Sequence, residues 1–182
     1  MLVDRLIKRA VYEEVKRILE TKKGDLKRYT VYGEDELRQV REGTLTPTTT
    51  RPYLFLVSSK IEPAATELPF IAVDAYPIRK TGLELGNRKG RRVTVNLNVL
   101  GRTEGEVLDL VSILLDELKS RFPVKNYNTV AYDGFRPNAI MAYGEIEREP
   151  TMESAGPLAE AMIKEGTLHN WQIVNFEFKV LL

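Results

Sequence analysis

Arg92-Val-Thr-Val-Asn-Leu-Asn-Val-Leu100 is the stretch that decides the fold. From position 93 to position 99 the odd-numbered residues are valine or leucine, and the residues between them are threonine or asparagine. Successive side chains of a strand point to opposite faces of its sheet. The alternation therefore predicts a strand with one buried face and one polar face.

Thr103-Glu-Gly-Glu106 follows this strand and has the spacing of a capping box, in which the hydroxyl and the carboxylate accept free backbone N–H groups. An apolar stripe at helical spacing comes next, and we expect Pro123 to end the helix. The stripe consists of Val107, Leu108, Val111, Leu114, Leu115 and Leu118. A second amphipathic helix is predicted over residues 2–23, and a short one over Glu34–Arg41.

Four further apolar or alternating runs predict strands on either side. They are Tyr53–Val57, Phe70–Tyr76, Ala139–Glu147 and Val174–Leu182. We therefore predict an α+β fold with a mixed, largely antiparallel sheet of about five strands and two long helices packed on one face. The expected order is α-β-β-β-α-β-β.

The length of 182 residues predicts one domain covering 1–182. We expect an exposed threonine-rich loop over 43–51 and an irregular segment over 151–168, with a short helix possible over Leu158–Glu165.

Composition narrows the classes of function. The chain has 27 basic and 26 acidic residues, so it lacks the overall positive charge of most proteins that hold a phosphate backbone. It has no cysteine, which excludes disulfides, cysteine-ligated zinc and a cysteine nucleophile and fits a reducing cytosol. Its first residues lack the pattern of a signal peptide, and it has no apolar run long enough to span a membrane.

The usual catalytic motifs are missing. His169 is the only histidine, and its neighbours fit neither a nucleophile–histidine arrangement nor a zinc-binding helix, so we interpret it as a surface or turn residue. The glycine-rich segment Gly82–Gly90 lacks the ending of a phosphate-binding loop and joins two predicted strands. We expect no catalytic residue, no metal site and no cofactor.

A basic cluster surrounds that segment. It consists of Arg79, Lys80, Arg88, Lys89, Arg91 and Arg92, with Glu84 as the one acidic residue. The purely structural interpretation of this cluster is a flexible hairpin loop. The functional interpretation is contact with an acidic protein surface or with DNA phosphates. Aromatic residues are absent between Arg79 and Arg92, which argues against base stacking there.

Glu145, Glu147 and Glu149 occupy alternate positions of a predicted strand, so they are expected to face one way. A solvated strand face is the ordinary interpretation of such a pattern. The functional alternatives are an acidic wall along a channel and a carboxylate pair for acid–base chemistry.

Three segments in order suggest a family. They are Leu68-Pro-Phe-Ile-Ala-Val-Asp74, Leu83-Glu-Leu-Gly-Asn-Arg88 and the alternating strand Arg92–Leu100, after which the capped helix begins. This order resembles the tail-terminator, or tail-completion, proteins of long-tailed bacteriophages. Glu84-Leu-Gly86 is its most specific part, and the resemblance covers residues 1–122 and, weakly, the last strand.

The resemblance implies a virion structural protein that is assembled in the host cytoplasm and lies where the tail meets the neck. It implies a ring, usually a hexamer, that caps the tail tube, ends its polymerisation and offers a surface to the head connector. DNA then passes through the lumen without sequence-specific binding, and no membrane is involved.

On this basis the candidates for contact with a neighbouring subunit or the tube are Arg79, Lys80, Glu84, Arg88, Lys89 and Arg91, and those for the lumen are Glu145, Glu147 and Glu149. Two alternatives come from the same residues: another neck or head–tail joining protein of similar fold, and a nucleic-acid-binding module that uses Arg79–Arg92. A hydrolase that uses the carboxylates ranks last.

Overall fold

The computed structural model describes residues 2–21, 29–58, 63–77, 84–85, 88–154 and 170–181. Within these ranges the helices are α1 (Leu2–Glu20), α2 (Glu34–Arg41) and α3 (Glu104–Glu117), with a short 3₁₀ turn at Ala65–Glu67. The strands are β1 (Thr30–Tyr32), β2 (Tyr53–Val57), β3 (Phe70–Pro77), β4 (Glu84–Leu85), β5 (Arg88–Gly101), β6 (Arg121–Lys125), β7 (Ile140–Ser154) and β8 (Asn170–Leu181).

Seven of these strands form one mixed sheet in the order β1-β2-β3-β5-β8-β7-β6, and β4 pairs with the start of β5. The pairs β1–β2 and β2–β3 are parallel, and the other neighbours are antiparallel. The predicted α+β class with a mixed sheet is confirmed. The expected number of about five strands is too low, and the predicted element order lacks β1, α2, β4 and β6.

The region after α3 differs most from the prediction. The helix ends at Glu117, where Leu118 already has an extended ψ of 114°, so Pro123 does not end it. Pro123 lies inside β6, where Phe122 and Val124 on either side of it are buried. A proline is tolerated there because β6 is the last strand of the sheet and has a neighbour on one side alone.

The capping box at the start of α3 forms with a shift of one residue. The Thr103 hydroxyl accepts the backbone N–H of Glu106 at 3.2 Å, as predicted. The Glu106 carboxylate accepts the N–H of Arg102 at 2.7 Å instead of that of Thr103. The strand-to-helix corner is therefore fixed by two reciprocal bonds.

Both long helices pack on the same face of the sheet. The buried cluster there combines their apolar stripes with the odd-numbered residues of β5, Val93 to Val99, and the even-numbered residues of β8, Val174 to Val180. The Phe122 and Phe178 rings stack at 4.4 Å between centroids and extend this core toward the edge strand β6.

Helix α1 contacts strands from both ends of the sheet. It touches β1, β2 and β3 on one side and β6 on the other. These strands are the two ends of the strand order, so the sheet curls around α1 and the helix fills the gap between its ends. The curl leaves a seam, bordered by α1, where the two ends of the sheet do not meet.

A smaller core lies on the opposite face. It includes Leu37 of α2 together with Phe55 of β2 and Phe70 of β3. The Arg41 guanidinium holds this helix to the 3₁₀ turn with bonds of 2.6 and 2.8 Å to the Glu67 carboxylate. The hydrogen bonds from Arg41 lower the pKa of Glu67, and the hydrogen bond from the Ala64 backbone N–H lowers it further. Burial raises this pKa, but the hydrogen bonds outweigh it.

Gly144 provides a test of the close packing at the β7–β8 pair. A Cβ added there would lie 2.0 Å from the nearest atom of the Phe178 ring, which is itself stacked on Phe122. We expect Gly144→Ala to lower the free energy of unfolding by about 1–3 kcal/mol through overpacking. Denaturant unfolding measures this change.

Gly105→Ala is the matched control, because an added Cβ there meets no atom within 4 Å. Alanine is the better helix former, so this variant should unfold at the same denaturant concentration as the parent or slightly above it. Equal destabilisation by both substitutions would contradict the packing at Phe178.

Candidate functional site

The outer face of the sheet, opposite α1 and α3, carries a charged cluster. The Glu147 carboxylate pairs with Arg92 of β5 and with Lys179 of β8, whose Nζ lies 3.1 Å away. Arg92 donates through Nη2 at 3.1 Å and also contacts Glu147 through Nε. Glu147 thus joins β7 to β8 and β5 on this face.

Two irregularities in the β7–β8 register alter the predicted acidic stripe. Register shifts occur between Ile146 and Arg148 and between Arg148 and Thr151, so strict alternation from Glu145 to Glu149 is broken. Glu145 pairs across the sheet with Lys179 in register and makes a 3.7 Å ion pair with Arg121. Glu145 and Glu147 therefore each have a cationic partner, and their position in a lumen stays a prediction.

The pKa of Glu147 shows the result of this pairing. Burial raises the pKa, but the hydrogen bonds from Lys179 and Arg92 outweigh it, and the pKa lies below its ordinary value. A carboxyl that donates a proton near neutral pH needs a raised pKa. This geometry argues against Glu147 as the proton donor of a hydrolase.

The predicted basic cluster is divided by the structure. Arg79 and Lys80 lie outside the described residues, and for Glu84, Arg88 and Lys89 the structure describes the backbone, in which Glu84 pairs with Lys89 and Leu85 with Arg88. Arg91 and Arg92 are consecutive in β5, so they face opposite sides of the sheet. Among the described side chains, Arg92 of the basic cluster pairs with Glu147 of the lumen candidates.

A groove of about 1170 Å³ runs along α1 beside β6, at the seam of the curled sheet. Its cationic lining residues are Arg5, Lys8, Arg9, Arg17, Lys119, Arg121 and Lys125, and its acidic ones are Glu13, Glu14 and Glu34. Cations therefore outnumber carboxylates, although the chain as a whole is almost neutral. We call this feature the seam groove.

Ion pairs neutralise part of the groove. They are Lys8–Asp74, Arg9–Glu13, Arg17–Glu14 and Arg121–Glu145. In the part of the chain that the structure describes, Arg5, Lys119 and Lys125 have no carboxylate within ion-pair distance. Three uncompensated cations along one groove favour an anionic surface as its partner.

The strand edge beside the groove is protected against pairing with another strand. Pro123 has no N–H group to donate, and the Lys125 backbone is hydrogen-bonded to Tyr127. Where β7 continues past β6, the strand contains Pro150, which has no N–H group to donate. Prolines on edge strands are a common device against edge-to-edge addition. A partner is therefore expected to use side-chain contacts at this surface.

Tyr127 lines the groove as a neutral group. Burial raises the pKa of its phenol to about 12, the charge of Glu13 adds to this, and the backbone hydrogen bond with Lys125 opposes it. The phenol therefore stays protonated at neutral pH, so the tyrosine adds no negative charge among the cations.

Helix α3 presents a surface of the opposite sign. The helix contains five acidic residues and no basic residue. Glu104, Asp109 and Asp116 are exposed on its outer side, where Leu108 is also 41% exposed. We call this the acidic face of α3; it is an anionic surface with one apolar side chain within it.

The described residues contain no group of acidic or histidine side chains that could hold a metal ion, and no helix among them is long and apolar enough to cross a membrane. Comparison with known proteins finds no family model that matches the chain and no curated protein that matches it.

The sequence alone indicates the acidic face of α3 but not the seam groove. The absence of basic residues from α3 is visible in the sequence. The seam groove is not visible in the same way, because its cations come from α1 and from the segment 119–125, which the fold brings together.

Replacement of Glu147 tests the charged cluster. We expect Glu147→Gln to lower the melting temperature at pH 7, because Arg92 and Lys179 lose their shared partner. A folded-state pKa below the ordinary value of 4.5 means that this stabilisation is present above pH 4.5 and is lost as the pH falls through the folded value. The melting curves of parent and variant should therefore converge as the pH falls below the folded-state pKa, as differential scanning calorimetry would record.

The control is Glu153→Gln, an exposed position in the same strand. Its melting temperature should follow that of the parent at every pH. A constant gap between parent and Glu147→Gln from pH 7 to pH 3 would mean that the ion pairs contribute nothing at this site.

Proposed function

We propose that this chain is a structural assembly protein of the bacteriophage tail-terminator type, whose copies join head to tail into a ring that caps a tail tube. The ring ends polymerisation of the tube and gives the head connector its attachment surface. It acts in the virion, at the junction of tail and neck.

One observation carries the proposal: the described residues include one cationic surface and one anionic surface on different elements of the subunit. The seam groove is cationic, and the acidic face of α3 is anionic. Two different complementary patches on one molecule favour a heterologous contact, in which one patch of each copy meets the other patch of the next. A heterologous contact closes into a ring when the rotation between neighbours divides a full turn.

The protected strand edges support the same arrangement. Copies that joined by adding strands would form open, extended sheets, and the prolines at the edges of β6 and β7 oppose this. Side-chain contact between the seam groove and α3 leaves the sheet of each subunit intact. The ordered resemblance of residues 68–100 to tail-terminator proteins supplies the expectation that such a ring sits on a tube.

A nucleic-acid-binding module is the second candidate, and the excess of cations in the seam groove is the observation that favours it. The basic cluster Arg79–Arg92, on which the sequence analysis based this candidate, supports it less. Arg92 is paired with Glu147, and Arg91 faces the other side of the sheet. Salt-dependent binding of a labelled oligonucleotide by the monomer would favour this candidate over self-assembly.

Charge reversal tests the head-to-tail contact. We expect Lys119→Glu in the groove, or Asp109→Lys on α3, to weaken self-association about tenfold, which corresponds to ~1.4 kcal/mol. A 1:1 mixture of the two variants should regain association, because every contact in an alternating assembly then joins opposite charges. Light scattering over a concentration series measures the dissociation constants.

Arg51→Glu is the matched control for Lys119→Glu. It also replaces a cation by a carboxylate, at an exposed position that belongs to neither surface. It should leave the dissociation constant within about twofold of the parent value. Weakening by the single variants without recovery in the mixture would contradict pairing between these two surfaces.

A further inference from the structure

The segment between β6 and β7, residues 126–139, is held in a fixed shape by one buried side chain. The Asn126 amide donates to the carbonyls of Val130 at 3.0 Å and Phe135 at 2.9 Å, and its oxygen accepts the N–H of Asn128 at 3.1 Å. The Asn126 backbone forms two more bonds, to Ala139 and from Asn138. Asn126 is fully buried, so water does not compete for these bonds.

A tight turn fixes the far end of the same segment. Tyr132 and Phe135 exchange both backbone hydrogen bonds, and Asp133 and Gly134 between them have φ values of 48° and 79°. Positive φ at both central residues is the geometry of the hairpin turn that Asp-Gly favours. The ring of Tyr132 packs against the main core and ties this turn to the rest of the domain.

This ordered segment holds an apolar side chain out into solvent. Val130 is 67% exposed, and Ile140 and Tyr143 of the adjoining strand are also exposed. Val130 is the most exposed of the three, and it lies on the ordered loop itself. A rigid loop loses little conformational entropy on binding, so an apolar side chain held on it is well suited to a contact surface.

The position of the loop points to its partner. Tyr127, Asn128 and Asn138 line the seam groove, so a surface that enters the groove also meets the loop. The proposed occupant of the groove is the acidic face of α3 from another copy, and that face exposes Leu108 among its carboxylates. The two surfaces therefore match in charge, and the loop beside the groove exposes Val130 as α3 exposes Leu108.

We infer that Val130, held by the Asn126-anchored loop, contacts Leu108 of the next copy and is the apolar anchor of the head-to-tail contact. The inference rests on the proposed function, because it names the residues that meet in the proposed ring. The groove cations supply the attraction between surfaces of opposite sign, and the Val130–Leu108 contact fixes the register of one subunit on the next.

Cysteine cross-linking tests this contact, since the chain has no cysteine of its own. Val130→Cys and Leu108→Cys are prepared separately and together, and mild oxidation joins pairs whose Cα atoms approach within about 7 Å. We expect each single variant to remain unlinked and their 1:1 mixture to give linked dimers. The double variant should give a ladder of linked dimers, trimers and larger species, since each copy then carries both partners of the contact.

Each alternative outcome has a separate meaning. Linked dimers from Val130→Cys alone would overturn the inference, because they indicate a symmetric contact between two loops. Absence of linkage in the mixture, while light scattering shows oligomers, would overturn the inference and leave the proposed ring standing. A protein that is monomeric at every concentration, both alone and with purified tail tubes present, would overturn the proposed function itself.

A pair of variants at position 130 provides an independent check. Val130→Asp and Val130→Lys remove the same apolar contact at an exposed position, so neither should disturb folding. Next to an acidic face, the aspartate variant should weaken self-association at least about tenfold and the lysine variant less than about threefold. Equal weakening by the two would contradict an acidic partner surface.

Discussion

The burial of α1 between the two ends of the sheet is the interaction on which the rest of the structure depends. The apolar side chains of α1 from Leu6 to Leu19 are buried, and those of Ile7, Val11 and Val15 are completely buried. Each such side chain contributes roughly 1.5–3 kcal/mol relative to exposure, so α1 is a major source of stability. Because the helix contacts β3 on one side and β6 on the other, it also sets how far the sheet curls.

The proposed interaction surfaces follow from that arrangement. The apolar stripe of α1 is used in the core, so its polar side, with Arg5 and Arg9, faces outward along the seam. The curl brings β6 beside this side of the helix and adds Lys119 and Lys125 to the same groove. Helix α3 packs on the same sheet face and keeps its acidic side outward. Charge segregation is therefore a consequence of how two amphipathic helices of different composition pack on one sheet.

Strong local periodicity made much of the fold predictable from the sequence. Helix α2 matches its predicted bounds, and the alternation at Val93–Val99 and in β8 identified which side of the central strands is buried. Weak local signals explain the omissions. Three-residue β1 is too short to show alternation, and β6 contains Pro123 next to a helix end.

The candidate site was less predictable, because it depends on long-range pairing. Glu147 and Arg92 are 55 positions apart in the chain, and two register shifts decide which β7 carboxylates reach β5 and β8. The seam groove likewise joins the first helix to a strand more than a hundred residues later. No local pattern encodes such contacts; they follow from the curl of the sheet. The sequence did not predict the role of Asn126 in holding its loop, because that role depends on its burial beneath the loop.

The most direct test of the ring is the mass distribution of the purified protein, measured by mass photometry with and without purified tail tubes. Head-to-tail assembly predicts one closed oligomer of defined mass, or a monomer that forms such an oligomer at tube ends. A monomer that ignores tubes, or an open series of ever larger species, would contradict a closed heterologous ring.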